Sequence, residues 1–244
     1  MIILYPGVSM SRLLHLLKEI DAEKLASYID HTLLKPQSDY KQLEKYVQDY
    51  KAYGFKALVV PLSLVPRVFE IGGRGIRVAT VVGFPLGNTS TRVKLCEVAE
   101  ASELGVKELD IVMNINAFKS GDFNYVENEL KTINKEARDR GIEVVKVIIE
   151  TGLLSDDEKV KAARLVEASG ADYVKTSTGF LGEGATVHDV RLLYTTVGGR
   201  IGVKASGAIR HALDALAMID AGATRIGTST GDRIMEEFEK LKRG

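Results

Sequence analysis

The chain has 244 residues, 45% of them hydrophobic and 27% charged, which is ample material for a core and close to the roughly 250 residues of a complete (β/α)8 barrel. Lys plus Arg and Asp plus Glu each number 33, so the formal net charge is zero; this argues against a polyanion-binding surface and so against nucleic acid as a partner. The lone cysteine excludes an intrachain disulfide and suits a reducing compartment. With no run of about 18 apolar residues and no basic, signal-like N-terminus, a cytoplasmic protein with no membrane partner is expected.

The first twenty residues stand apart from the pattern that follows. They are expected to form an N-terminal extension whose helix, Ser11–Ile20, covers a barrel bottom or joins a subunit interface. From there on the chain alternates. Runs rich in β-branched residues at Tyr28–Leu33, Lys56–Pro61, Arg77–Gly83, Glu108–Asn114, Val144–Glu150, Asp172–Thr176, Ile201–Ala205 and Thr224–Gly227 read as eight strands. Most are nearly continuous apolar runs, as parallel strands covered on both faces are. Amphipathic helices fall between them at Asp39–Tyr53, Thr91–Leu104, Phe123–Arg140, Ser155–Ser169, Val187–Val197 and His211–Ala221, and Asp232–Lys242 closes the chain. Ser155 and Glu158 form a capping-box pair.

Gly54, Gly105, Gly141, Gly170 and Gly222 each separate a helix from the next strand, where a left-handed residue ends a helix without a Cβ clash. Five copies of one connection imply a repeating strand–helix unit. Eight such units in this length favour a closed (β/α)8 TIM barrel over an open doubly wound sheet. No GxGxxG follows the first strand, which weakens a dinucleotide-binding alternative. The expected organisation is an extension over residues 1–20 and a single barrel domain over 21–244.

Barrel chemistry collects at the C-terminal ends of the strands. Lys175 and Lys204 each interrupt an apolar strand near such an end. A buried ammonium must be paired, shifted in pKa or used. Either lysine alone is accounted for by a salt bridge inside the barrel; two on adjacent strands, with Asp110 also inside, point to chemistry. Two unit charges about 6 Å apart at an effective dielectric near 20 repel by roughly 3 kcal/mol, or about two pKa units. That repulsion would free one amine to attack a carbonyl as a Schiff-base former. Asp110 could carry a proton through a water. Lys146 lies deeper and reads as an ion-pair partner of Asp110 or Glu150, while Lys56 and Lys107, at strand starts, read as solvated.

Gly207 and Ala208 after strand seven, and the Gly227–Gly231 run with Ser229 and Thr230 after strand eight, sit where barrels bind phosphate, and Gly179 after strand six could add another amide, though loops use such residues anyway. No metal site is expected, because His15, His31, His188 and His211 are scattered and make no ligand pair with Cys96. His31 is either an active-site group or satisfied by a backbone carbonyl. Cys96 reads as a small packed helix residue.

Six strand-end strings in order, Tyr28-Ile-Asp-His-Thr-Leu-Leu34, Val81-Val-Gly-Phe-Pro-Leu-Gly87, Glu108-Leu-Asp-Ile-Val-Met-Asn114, Lys146-Val-Ile-Ile-Glu-Thr151, Ala171-Asp-Tyr-Val-Lys-Thr-Ser-Thr-Gly179 and Val203-Lys-Ala-Ser-Gly207, closely resemble the deoxyribose-phosphate aldolase family from Asp21 onward. The resemblance implies a metal-free, cofactor-free class I aldolase. It would cleave 2-deoxy-D-ribose 5-phosphate reversibly to acetaldehyde and D-glyceraldehyde 3-phosphate. By that likeness Lys175 forms the Schiff base, Lys204 perturbs its pKa and Asp110 transfers protons. Gly179, Gly207, Ala208, Ser229 and Thr230 would hold phosphate, with Asp30, Thr32 and Lys146 in support. The family usually has two glycines where this chain has Gly207-Ala208, and an added methyl there is expected to require a negative φ. A homo-oligomer is the default assembly. The alternatives are a Schiff-base aldolase for another phosphosugar, a phosphate-binding barrel isomerase, and a barrel kept as a binding scaffold.

Overall fold

A computed structural model describes residues 10–243. Two short helices come first, α1 (Met10–Glu19) and α2 (Ala22–Ala26), the latter capped by Asp21. Then follow β1 (Ile29–Thr32), α3 (Tyr40–Tyr53), β2 (Ala57–Val59), α4 (Val65–Gly72), β3 (Val78–Val82), α5 (Thr91–Leu104) and β4 (Glu108–Val112). The second half runs α6 (Ile115–Lys119), α7 (Phe123–Asp139), β5 (Val144–Ile148), α8 (Asp156–Ala168), β6 (Tyr173–Lys175), α9 (Val187–Val197), β7 (Gly202–Ser206), α10 (Ala212–Asp220), β8 (Arg225–Thr228) and α11 (Gly231–Arg243). The eight strands pair in parallel, each with the next, and β8 closes on β1. This is the (β/α)8 barrel, with helices outside and an added N-terminal helix.

Local chemistry sets the boundaries. Asp39 caps α3 and Ser155 caps α8, both in reciprocal capping boxes, which satisfies amide donors that a helix start leaves unpaired. All five inter-element glycines take positive φ, from 68° at Gly54 to 111° at Gly222. Three helices were not visible in the sequence pattern: the five-residue α2, α4 and α6. α4 opens with Pro66 near its start, a position proline favours, and α6 is a single turn capped by Asn114.

Outward residues of the strands and inward residues of the helices make one continuous apolar layer. The N-terminal helix packs Leu13 and Leu17 into it beside α10 and α11. Its Arg12 pairs with Asp220 at the end of α10. It therefore flanks two outer helices. No helix among the described residues is long and apolar enough to cross a membrane.

The barrel interior is divided. Ala57, Val59 and Ala79 on β2 and β3 form a small apolar wall with Leu34 beside it. The opposite wall, from β4 round to β1, is lined by charge: Glu108, Asp110, Lys146, Lys175, Lys204, Arg225 and Asp30 are all at most 3% exposed.

Candidate active site

Asp110 on β4 organises the charged wall. Its Oδ1 accepts from Lys146 Nζ at 2.9 Å; its Oδ2 accepts from Lys175 Nζ at 2.6 Å and from Lys204 Nζ at 2.7 Å. Register brings these side chains together, since Asp110 lies level with Lys146 and Lys175 level with Lys204 in the sheet. Space is also provided for: a Cβ on Gly227 would lie 3.2 Å from Lys204 Cε and 2.9 Å from Ser206 Cβ. The network continues below. Lys204 meets Asp30 at 2.5 Å, Arg225 meets Asp30 and, at 2.7 Å, Glu108, and Lys146 meets Glu108 at 2.8 Å. Lys146 thus pairs with Asp110 as one option in the sequence had it, while its second partner is Glu108 rather than Glu150.

The fully buried members of this network are four cations, Lys146, Lys175, Lys204 and Arg225, and three carboxylates, Asp30, Glu108 and Asp110. An uncompensated buried charge is expensive. Giving up one proton balances the set, and the surroundings make Lys175 the amine that gives it up most readily. Burial first, then Lys204 and Lys146, lower its pKa to about 8 against the opposing pull of Asp110. Desolvation therefore outranks the lysine–lysine repulsion that the sequence put first. For Asp110, burial opposes ionisation, but Lys146, Lys175 and Lys204 together outweigh it and hold the carboxyl well below the usual range. Burial also works against the charge on Lys146, yet Asp110 and Glu108 raise its pKa overall.

Lys175 stands in the wall of a cleft of about 240 Å³. Gly179, Gly207, Ala208, Ser229, Thr230 and Thr32, all expected at the site, line the same cleft, together with Thr178, Phe180, Ser206, Lys35 and Arg210. Thr32 turns its hydroxyl back onto the Asp30 carbonyl at 2.9 Å. The two loops after β7 and β8 are tied: Thr228 Oγ1 donates to the Ile209 carbonyl at 2.8 Å and Thr230 Oγ1 to the Arg210 carbonyl at 3.3 Å.

Ala208 corrects an expectation. Its φ is +62°, so the methyl sits in the left-handed region, which costs an L-residue roughly 1–2 kcal/mol. The neighbouring Gly207 (φ +84°) lies against Gly184, where a Cβ on Gly207 would come within 2.8 Å of Gly184 Cα. The turn after β7 is fixed by that close approach, and Ala208 follows it. Glu150, just after β5, is the other non-glycine residue with positive φ among the described residues, at 55°. Its Oε2 accepts from the Thr178 N–H at 3.0 Å and hydroxyl at 2.6 Å, and burial raises its pKa. It anchors the Thr178–Phe180 segment of the cleft.

Three other expectations are revised. His31 is neither in the cleft nor on a backbone carbonyl. It points outward from β1, stacked on Tyr46 with ring centroids 4.1 Å apart, and its Nε2 lies 3.5 Å from Asp49 Oδ2. Cys96 is exposed; the buried residue on that turn of α5 is Lys94, held by Glu129 at 2.8 Å and the Val112 carbonyl at 3.0 Å. Among the described residues the scattered histidines do contribute one cluster, Asp156, His188 and Asp189. The Lys159 ammonium lies between the carboxylates, 3.0 Å from Asp156 and 2.7 Å from Asp189.

Glu108 and Arg225 were passed over in the sequence. The signal was there: each lies two residues before an inward position, Asp110 and Gly227, and side chains alternate along a strand.

A profile of DeoC/LacD family aldolases matches residues 24–236. This chain belongs to the DeoC/LacD family of aldolases. A deoxyribose-phosphate aldolase of Thermoanaerobacter pseudethanolicus is 47% identical over 219 residues, covering 89% of this chain and 98% of that protein. One from Streptococcus mutans is 48% identical over 214 residues, covering 87% and 96%. Among solved structures, a tetrameric deoxyribose phosphate aldolase from Aeropyrum pernix superposes with a TM-score of 0.87 at 34% identity, covering 96% of this chain and all of that one. The protein is therefore an enzyme of the aldolase class, a carbon–carbon lyase. The part of this DeoC/LacD aldolase matched by the family profile contains every cleft and network residue named above.

Proposed function

We propose that this aldolase cleaves 2-deoxy-D-ribose 5-phosphate reversibly to acetaldehyde and D-glyceraldehyde 3-phosphate, through a Schiff base on Lys175. The observation that carries the reading is a buried amine with its pKa lowered to about 8, hydrogen-bonded to a carboxylate oxygen shared with a second lysine, in the wall of a cleft whose other end is two glycine- and hydroxyl-rich loops. The closely related proteins named above act on this sugar phosphate by name, which favours the same substrate here.

In this reading neutral Lys175 adds to C1 of the open-chain sugar, and loss of water gives an iminium. The iminium withdraws electrons, so the C2–C3 bond breaks as the C3 hydroxyl loses its proton. Glyceraldehyde phosphate departs, the enamine is protonated at C2, and water releases acetaldehyde. Asp110 is the proton carrier, acting through a bound water. With the Lys146 and Lys204 ammoniums and the Lys175 nitrogen all on it, Asp110 is a weak base; it takes the C3 hydroxyl proton only in passing and returns it through the water. Lys204, on the same Oδ2, holds the returning proton.

The phosphate fits the far end of the cleft. Loops after the seventh and eighth strands are where barrels bind phosphate, and the N-terminus of α11 at Gly231 adds a favourable dipole. Arg210 and Lys35 at the rim supply positive charge. Binding there positions C1 against Lys175 without touching the breaking bond.

The test is reductive trapping. The protein is incubated with acetaldehyde or deoxyribose 5-phosphate, reduced with borohydride, digested and mapped by mass spectrometry. An adduct on Lys175 that disappears in Lys175→Ala is the expected result. An adduct on Lys204 would exchange the two lysines' roles. A folded protein that gives no adduct would remove the Schiff-base mechanism.

A further inference from the structure

The loop after β8 is braced from outside the barrel. Tyr46, half-buried on α3, donates its hydroxyl to the Ser229 carbonyl at 2.6 Å. A peptide unit is planar, with its C=O and the next N–H on opposite sides. Anchoring the Ser229 carbonyl outward therefore turns the Thr230 N–H inward, where it meets Thr228 Oγ1 at 3.1 Å. The Tyr46 ring is itself held, stacked within 16° of parallel on the fully buried His31. His31 rests in turn on Phe55, with centroids 4.8 Å apart. The same imidazole is the floor for the start of α11: a Cβ on Gly231 would lie 2.8 Å from His31 Nδ1 and 3.0 Å from Phe55 Cζ. A second tie runs parallel, with Lys45 on α3 bridging Asp49 and Asp232, each at 2.6 Å.

We infer that Tyr46, stacked on His31, is a positioning residue for the anion-binding loop Ser229–Gly231. It sets the peptide plane of that loop before the sugar phosphate arrives and has no part in the chemistry at Lys175. The inference rests on the proposed phosphate end of the cleft. Its parts lie on the outer face of β1, on the side of that strand away from the charged network.

The consequence is a division of effects by substrate. A preset loop lowers the ordering cost of binding the phosphate alone. A hydrogen bond is worth about 0.5–1.5 kcal/mol net, so Tyr46→Phe, which keeps the ring and its stack, is expected to raise KM for deoxyribose 5-phosphate by about 2- to 12-fold. It should leave kcat within about twofold. Inhibition by inorganic phosphate should weaken by the same factor. Turnover of unphosphorylated 2-deoxyribose, and borohydride trapping of acetaldehyde on Lys175, should match the wild type, which also reports that the variant is folded. Equal losses with the phosphorylated and unphosphorylated sugars, or an unchanged KM and phosphate affinity, would overturn the positioning role. If the wild type itself is not inhibited by phosphate and does not prefer the phosphorylated sugar, the phosphate end of the cleft is misassigned and the inference goes with it. A wild type that prefers the phosphorylated sugar, beside an indifferent Tyr46→Phe, refutes the brace alone.

Discussion

Replacing Lys204 by Met should make Lys175 a poorer nucleophile by keeping it protonated. The two ammonium nitrogens share Asp110 Oδ2 as a partner, at 2.6 and 2.7 Å, so they are about 5 Å apart at most. At an effective dielectric near 20 their repulsion is roughly 3 kcal/mol, or about two pKa units. Methionine keeps most of the volume and removes the charge. It also frees Asp30 and Asp110 from one of their cations, which pulls Lys175 further toward protonation. From its starting point of about 8, the Lys175 pKa should rise to around 10, and the free-amine fraction at pH 7 should fall about 100-fold. The assay is the rate of acetaldehyde trapping by borohydride across pH 6–10, followed by mass on the Lys175 peptide. This reports formation of the adduct and is insensitive to later proton transfers. The wild-type rate should level off above pH 8 and the Lys204→Met rate should still be climbing at pH 9. Superimposable pH profiles would refute the electrostatic argument and leave burial as the cause of the lowered pKa.

Two further outcomes concern stability. Ala208→Gly removes a methyl from the left-handed region (φ +62°); the relief of about 1–2 kcal/mol is partly offset by the greater freedom of glycine in the unfolded chain, so urea unfolding should show a net gain of about 0.5–1 kcal/mol. His31 is buried, and burial lowers its pKa against the pull of the neighbouring Asp49 and Asp232 carboxylates, with Lys45 acting in the same direction as burial; Tyr46 stacks on it. Its folded pKa lies below the unfolded value, so its contribution is present above about pH 6.5 and is lost as pH falls through the folded pKa. Unfolding curves between pH 6.5 and 5.5 should show the wild type losing more stability than His31→Phe; parallel losses would sink this account.

The barrel was legible because its grammar is local. A glycine that ends a helix and a short apolar run that follows need no knowledge of distant residues, and all five such glycines adopt positive φ. Lys175 and Lys204 were legible for a similar reason, as charges inside apolar strands. What failed depended on partners far along the chain. Lys94 looks like a solvated helix residue until Glu129, 35 positions away, meets it in the interior. Arg225 and Glu108, 117 positions apart, meet only when the barrel closes. Ala208 was misjudged because its conformation is imposed by Gly207 packing on Gly184, a backbone contact between separate loops. α2, α4 and α6 are too short for periodicity to declare them.

The four-against-three charge count inside the barrel bears on more than the resting enzyme. On the proposed route an iminium on Lys175 would carry a fixed positive charge beside Lys204 and Lys146. Cleavage shifts that charge: the nitrogen becomes a neutral enamine while the C3 hydroxyl proton passes through water to Asp110, so the excess stays in the wall until hydrolysis returns the free amine. The same surroundings that lower the pKa of Lys175 would thus favour moving charge off its nitrogen in the bond-breaking step. A variant that lowers the excess is expected to let the iminium accumulate rather than react.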